Sequence, residues 1–201
     1  TIEADKMFDD EIGFEEALAG VYSSMGNIYT YGEYMITVPD ALAQYWLMPS
    51  GTEQLYPMKN FDYKHTNSET CISNIWTYMY KAIANDNLII QHLGDKKNIS
   101  NYNIIKGEAL GLRAYLHLDL LRLFGPQTKD LSAISIPYRT EFSNQTINLM
   151  KTEDVLNTAE KDLLESYTLL KDDPIKTYGR KNSDLTNYNS GIAENFRGIR
   201  M

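Results

Sequence analysis

One cysteine, Cys71, stands in a chain of 201 residues, so no intramolecular disulfide can form and cysteine usage says nothing about redox compartment. The chain is not poor in apolar residues, and 43% apolar with 23% charged excludes intrinsic disorder. Positive charge is scarce as well. Nineteen Lys and Arg against 27 Asp and Glu leave a net charge of −8, which argues against nucleic acid as a partner. No apolar run approaches the roughly 20 residues of a membrane-spanning helix. Metal and phosphate motifs are missing too. His65, His92 and His117 are scattered, with no His-Glu-x-x-His and no Cys-x-x-Cys, so no metal site is expected. Gly107 to Gly111 lies inside a helical pattern and lacks the Lys-Ser/Thr of a phosphate loop. His117, among leucines, is expected as a hydrogen-bonded core or boundary histidine, and Cys71 as a buried, inert thiol.

What the chain has is enough apolar residue, 43%, for a substantial core, together with 15 Tyr and 16 Asn. Apolar residues recur at helical spacing in four segments and nowhere alternate as a convincing strand. The first helix is predicted from about Asp10 to Tyr29, on Phe14, Leu18, Val21, Met25 and Ile28, with acidic residues crowding its start. The second runs from about Ser68 to Leu93, and Gly94 falls where a left-handed cap would sit. The third, about Asn101 to Phe124, carries two apolar stripes and is expected to be buried on two sides. Gly107 and Gly111 cost it about 1 kcal/mol each against Ala, tolerable where a neighbouring backbone approaches closely. Gly125-Pro126 ends it. The fourth starts with Thr152 as N-cap, buries Leu156, Ala159, Leu163, Tyr167 and Leu170, and stops before Pro174. The fold class is therefore all-α, with helix pairs joined by long ordered loops. Ile192, Phe196 and Ile199 open a further stripe at spacings of four and three, so the 201 residues are expected to form one helical domain cut before its next helix and to self-associate through that face.

Two connections, about Thr30 to Asn67 and Gly125 to Lys151, are long for a compact domain. The first is aromatic, unlike a disordered linker. Sugars present C–H faces that stack on flat rings, with acids and amides binding the hydroxyl rims. Tyr45, Trp46, Tyr56, Tyr63 and Asp40 are accordingly the candidate ligand residues. The alternative is that Trp46 and Leu47 anchor the loop onto the helices, with Trp46 in the core. Loop carboxylates Asp40, Glu53, Asp62 and Glu141 could in principle supply the facing pair of a helical glycoside hydrolase, but no motif marks a catalytic residue and none is expected.

The stretch Asn103 to Pro126, NIIKGEALGLRAYLHLDLLRLFGP, resembles the signature helix of the RagB/SusD family. Phe14 to Met25, Trp76 to Leu88, Ile136-Pro137-Tyr138 and Asp154 to Leu170 resemble its other segments in order. The resemblance implies an N-terminal portion of a non-enzymatic, SusD-like lipoprotein on the outer face of the outer membrane, without a cofactor. Such proteins bind a glycan, or sometimes a peptide, on helix pairs similar to tetratricopeptide repeats and pass it to a SusC-like TonB-dependent transporter. The lipid-bearing cysteine would precede Thr1. A repeat scaffold that mainly grips the transporter is the alternative. The signature residues Glu108, Arg113, Tyr115, Asp119, Arg122, Gly125 and Pro126 are expected to be structural, tying helix to helix and ending the third helix.

Overall fold

The computed structural model describes residues 4–48, 54–94, 96–127 and 129–178; the expected stripe at Ile192, Phe196 and Ile199 lies outside them. The order is α1 (Ala4–Met7), α2 (Glu11–Met25), α3 (Tyr34–Leu42), α4 (Tyr56–Lys59), α5 (Thr66–Leu93), α6 (Tyr102–Phe124), α7 (Thr152–Leu169) and α8 (Ile175–Tyr178). The fold is all-α. Among the described residues the only β-type pairing is one antiparallel bridge, Ile134 with Lys151. The chain divides into two compact units, Tyr22–Ala82 and Thr1–Val21 with Ile83–Met201.

In the unit Tyr22–Ala82, α2 ends at Met25, not at Tyr29. The Thr30 hydroxyl, within 3.1 Å of the Ser24 and Asn27 carbonyls, donates to the nearest acceptor, the Met25 carbonyl, at 2.6 Å, and the Tyr31 N–H reaches the same carbonyl at 3.0 Å, so the chain turns back and the open end of the helix is met without further turns. Ile28, expected on the buried stripe, is consequently exposed. The connection from Thr30 to Asn67 is not a loop throughout, because α3 and α4 lie within it. Pro39 sits inside α3, where it removes one intrahelical N–H without stopping the helix. Met25, Tyr34, Val38, Ala41, Met58, Cys71, Ile75 and Met79 are buried in this unit. Burial pushes the Cys71 thiol up from its ordinary value, as suits an inert core residue.

In the other unit, Phe8 packs on Phe14 and stacks on His92 with ring centres 5.0 and 4.5 Å apart. Gly94 takes φ +43°, the left-handed conformation expected of it after α5. Asn101 is not the first residue of α6 but its cap, and its amide turns away to Glu11 and Glu15.

Helices α6 and α7 pack antiparallel. A Cβ on Gly107 would lie 2.7 Å from Leu170 Cγ, and one on Gly111 2.9 Å from Ser166 Oγ, so both glycines permit the expected close approach. Two features of α7 differ from expectation. Lys151, not Thr152, is the cap residue, and it makes no side-chain cap bond. The N–H groups of Thr152 and Glu153 are taken instead by the carbonyls of Ala133 and Leu131, both at 2.9 Å. The buried face is also rotated. Thr152, Val155, Ala159, Asp162 and Ser166 face inward, while Leu156, Leu163 and Tyr167 are exposed. Polar residues occupy the inner face because α6 offers them partners there: Ser166 Oγ donates to the Gly107 carbonyl at 2.6 Å.

Candidate functional site

Helices α3 and α4 end by the same device. After α3, Gln44 adopts φ +57° and the Tyr45 N–H reaches back to the Asp40 carbonyl at 3.1 Å. After α4, Phe61 adopts φ +58° and the Asp62 N–H reaches back to the Pro57 carbonyl at 2.9 Å. Both are left-handed helix closures of the kind glycine normally makes. A side chain at such a position costs about 1–3 kcal/mol, and such strain clusters at functional surfaces. The two ends are joined, since Gln44 Nε2 donates to the Lys59 carbonyl at 3.1 Å.

The closures present aromatic rings to solvent. Tyr45 is 77% exposed, Phe61 53% and Trp46 40%, and Tyr63 is about half exposed. Leu47 is 99% exposed and does not anchor the segment, and Trp46 is not a fully buried core residue. The structure thus gathers Tyr45, Trp46 and Tyr63 at neighbouring helix ends. It leaves Tyr56 half-buried in the first turn of α4 and Asp40 half-buried in α3, where its carbonyl closes the helix. Phe61 and Gln44 were not among the expected site residues. Non-glycine left-handed residues carry no sequence signal of their own, although Phe61 is flanked by the turn-favouring Asn60 and Asp62.

The signature residues form a different arrangement. Arg113 grips Asp162 with two bonds, Nε to Oδ2 and Nη2 to Oδ1, each 2.7 Å. Its Nη1 donates to Asn87 Oδ1 at 3.0 Å and to the Thr140 carbonyl at 3.3 Å. Burial would lower the Arg113 pKa, but the Asp162 carboxylate outweighs it and the net shift is upward. Tyr138 donates its hydroxyl to Asp162 at 2.7 Å; burial and that bond push its pKa far up. His117 stacks on Tyr138, ring centres 3.8 Å apart. Its Nε2 accepts the Arg139 N–H at 3.0 Å, so the proton sits on Nδ1 and donates to the Arg113 carbonyl at 2.8 Å. Burial lowers its pKa to about 4, a neutral, structural histidine as expected.

Arg113 therefore ties α5, α6 and α7 together. Arg122 is largely exposed and pairs with Asp119 one turn earlier in the same helix, so this pair does not link helices. Tyr115 is 45% exposed. Glu108 and Asp119 are buried on α6, and Gly125 is its extended cap before Pro126. Among the described residues no group of three or more His, Cys, Asp or Glu is placed to hold a metal ion.

The fold defines an all-α scaffold that presents aromatic side chains from its helix ends. A family model for SusD-like proteins, described as starch-binding and associating with the outer membrane, matches residues 2–188, and the chain belongs to this family. Its fold is similar to the crystal structure of a SusD superfamily protein from Bacteroides thetaiotaomicron, with a TM-score of 0.64 at 20% identity over 80% of this chain. The match spans 37% of that longer chain. No curated protein sequence matches.

Proposed function

We propose that this chain takes part in non-catalytic capture of a glycan at the outer-membrane surface, in a lipid-anchored protein that delivers its ligand to a partner TonB-dependent transporter. The observation that carries the reading is the pair of strained helix ends holding Tyr45, Trp46, Phe61 and Tyr63 toward solvent. Rings fixed on short, closed helix ends lose little entropy when a sugar stacks on them. The family's description as starch-binding and outer-membrane associated supports the same reading. No described helix is long and apolar enough to cross a membrane, which is compatible with attachment through a lipid.

Titration calorimetry with a panel of neutral oligosaccharides, starch fragments first, tests the proposal. Tyr45→Ala and Tyr63→Ala each lower affinity about tenfold, 1.4 kcal/mol, with the unfolding midpoint unchanged. No heat with any glycan, or affinity indifferent to both substitutions, overturns it. Release of reducing ends from any of the glycans overturns the non-catalytic part.

One observation favours the alternative of a scaffold that grips the transporter. Helix α7 turns Leu156, Leu163, Leu164 and Tyr167 outward, a row of apolar side chains suited to a protein contact. Leu163→Glu and Leu164→Glu would then weaken transporter binding and leave glycan binding alone.

A further inference from the structure

A depression opens in the unit that holds α6 and α7. It has a volume of about 500 Å³ and lies between the Lys97–Tyr102 turn and the end of α7. Its walls are mostly polar: Lys97, Ser100, Asn103 and Tyr102 on one side, Thr168 and Asp172 on the other. One cation and one anion balance in charge, so the lining offers many donors and acceptors without selecting a charged ligand. That chemistry matches a chain of hydroxyl groups better than a phosphate, a carboxylate or an apolar side chain.

The ring in this lining is held from two directions. Tyr102 Oη donates to the Gly94 carbonyl at 2.9 Å, and the Lys106 ammonium lies 5.9 Å from the ring centre. Lys106 is itself held by Glu165 of α7 at 2.8 Å. A pre-positioned ring beside amide, hydroxyl and charged groups is the combination by which proteins bind sugars, an apolar face with a hydrogen-bonding rim. The Thr168 hydroxyl donates to the Leu164 carbonyl at 2.8 Å, which leaves its lone pairs to accept from a ligand.

We propose that this depression is a second subsite for a neutral oligosaccharide, built by Tyr102, Asn103, Thr168 and Asp172. The proposal deepens the glycan-binding function proposed above and rests on it. Two subsites on one chain would let a polysaccharide be held at two points, raising avidity without a tighter contact at either.

The test is calorimetric titration of the full chain with maltoheptaose, accompanied by backbone NMR shifts. Three proteins are compared: the unaltered chain, Tyr45→Ala with Tyr63→Ala, and Thr168→Leu with Asp172→Leu. Thr168 and Asp172 are exposed, so the last pair removes the polar wall without removing core contacts. The unaltered chain is expected to show two binding events. The tyrosine variant should keep one of them, with shifts at residues 100–103 and 168–172. The leucine variant should lose that one by about tenfold or more and keep the other. A single event that vanishes in the tyrosine variant and ignores the leucine pair overturns the second subsite and leaves the general function standing. No binding by the unaltered chain overturns both.

Discussion

Arg113 and Asp162 are 49 residues apart in sequence and meet through two 2.7 Å bonds, with only 7% of either side chain exposed. Removing one partner strands the other charge away from water. Arg113→Ala or Asp162→Ala is therefore expected to destabilise the protein by about 3–5 kcal/mol. Replacing both with apolar residues, Arg113→Met with Asp162→Leu, should cost less than either single change. Urea unfolding of the three variants measures this, and a double variant worse than both singles would contradict it.

His117 makes stability fall on the acid side. Its folded pKa of about 4 lies below the ordinary value of 6.5, so the unfolded chain binds the extra proton between those limits. Its contribution is complete above about pH 6.5 and is lost as pH drops toward 4, by about 3 kcal/mol in all. His117→Gln should flatten that part of the curve of unfolding midpoint against pH. In the unaltered protein the NMR signals of the His117 imidazole should not titrate above pH 5.

Asp86 acts in the opposite sense. It is fully buried on α5, and neither carboxylate oxygen has a hydrogen-bond partner. Burial raises its pKa well above the ordinary value, against the pull of Arg113. The folded chain then binds the extra proton above pH 3.8, and stability declines as pH rises through that window. Asp86→Asn is expected to raise the melting temperature at pH 7, with the gain shrinking toward pH 4. A gain independent of pH would point to packing instead of charge.

Two glycine-to-alanine changes should have opposite signs. At Gly20, within α2, nothing lies within 4 Å of the added methyl, so Gly20→Ala should stabilise by about 1 kcal/mol. At Gly107 the methyl would meet Leu170 Cγ at 2.7 Å and Leu169 Cβ at 3.2 Å. Helix α7 must then shift, and Gly107→Ala should destabilise by about 1–3 kcal/mol despite its better helix propensity. Thermal unfolding of both variants is sufficient to see this.

Much of the helix plan could be read from apolar periodicity. Helices α5 and α6 lie within two residues of expectation because their stripes are long and apolar. Helix α3 was hidden by its nine residues and by Pro39, which as a sequence signal reads as a breaker. Helix α7 was found, but on the wrong face: Asp162 and Ser166 point inward because Arg113 and the Gly107 carbonyl await them, and a hydrophobicity pattern cannot know that. The candidate site was partly visible. Aromatic density singled out Tyr45, Trp46 and Tyr63, while the left-handed Gln44 and Phe61 that close the helices are tertiary facts. Arg113 reaches Asn87 and Asp162 on two other helices, while Arg122, of the same type and on the same helix, pairs with Asp119 of its own helix, a difference that residue type alone does not carry.

The polar inner face of α7 bears on how the helix pair can be assembled at all. An apolar face tolerates a slide of one turn, since one leucine serves nearly as well as the next. Along α6 and α7 a slide would separate Arg113 from Asp162 and Ser166 from the Gly107 carbonyl together, and would drive Leu170 away from the notch at Gly107. Contacts that are satisfied in one alignment and stranded in every other act as a key cut for a single lock. The pair is thereby fixed in length and phase, and any surface built on it inherits that fixed spacing.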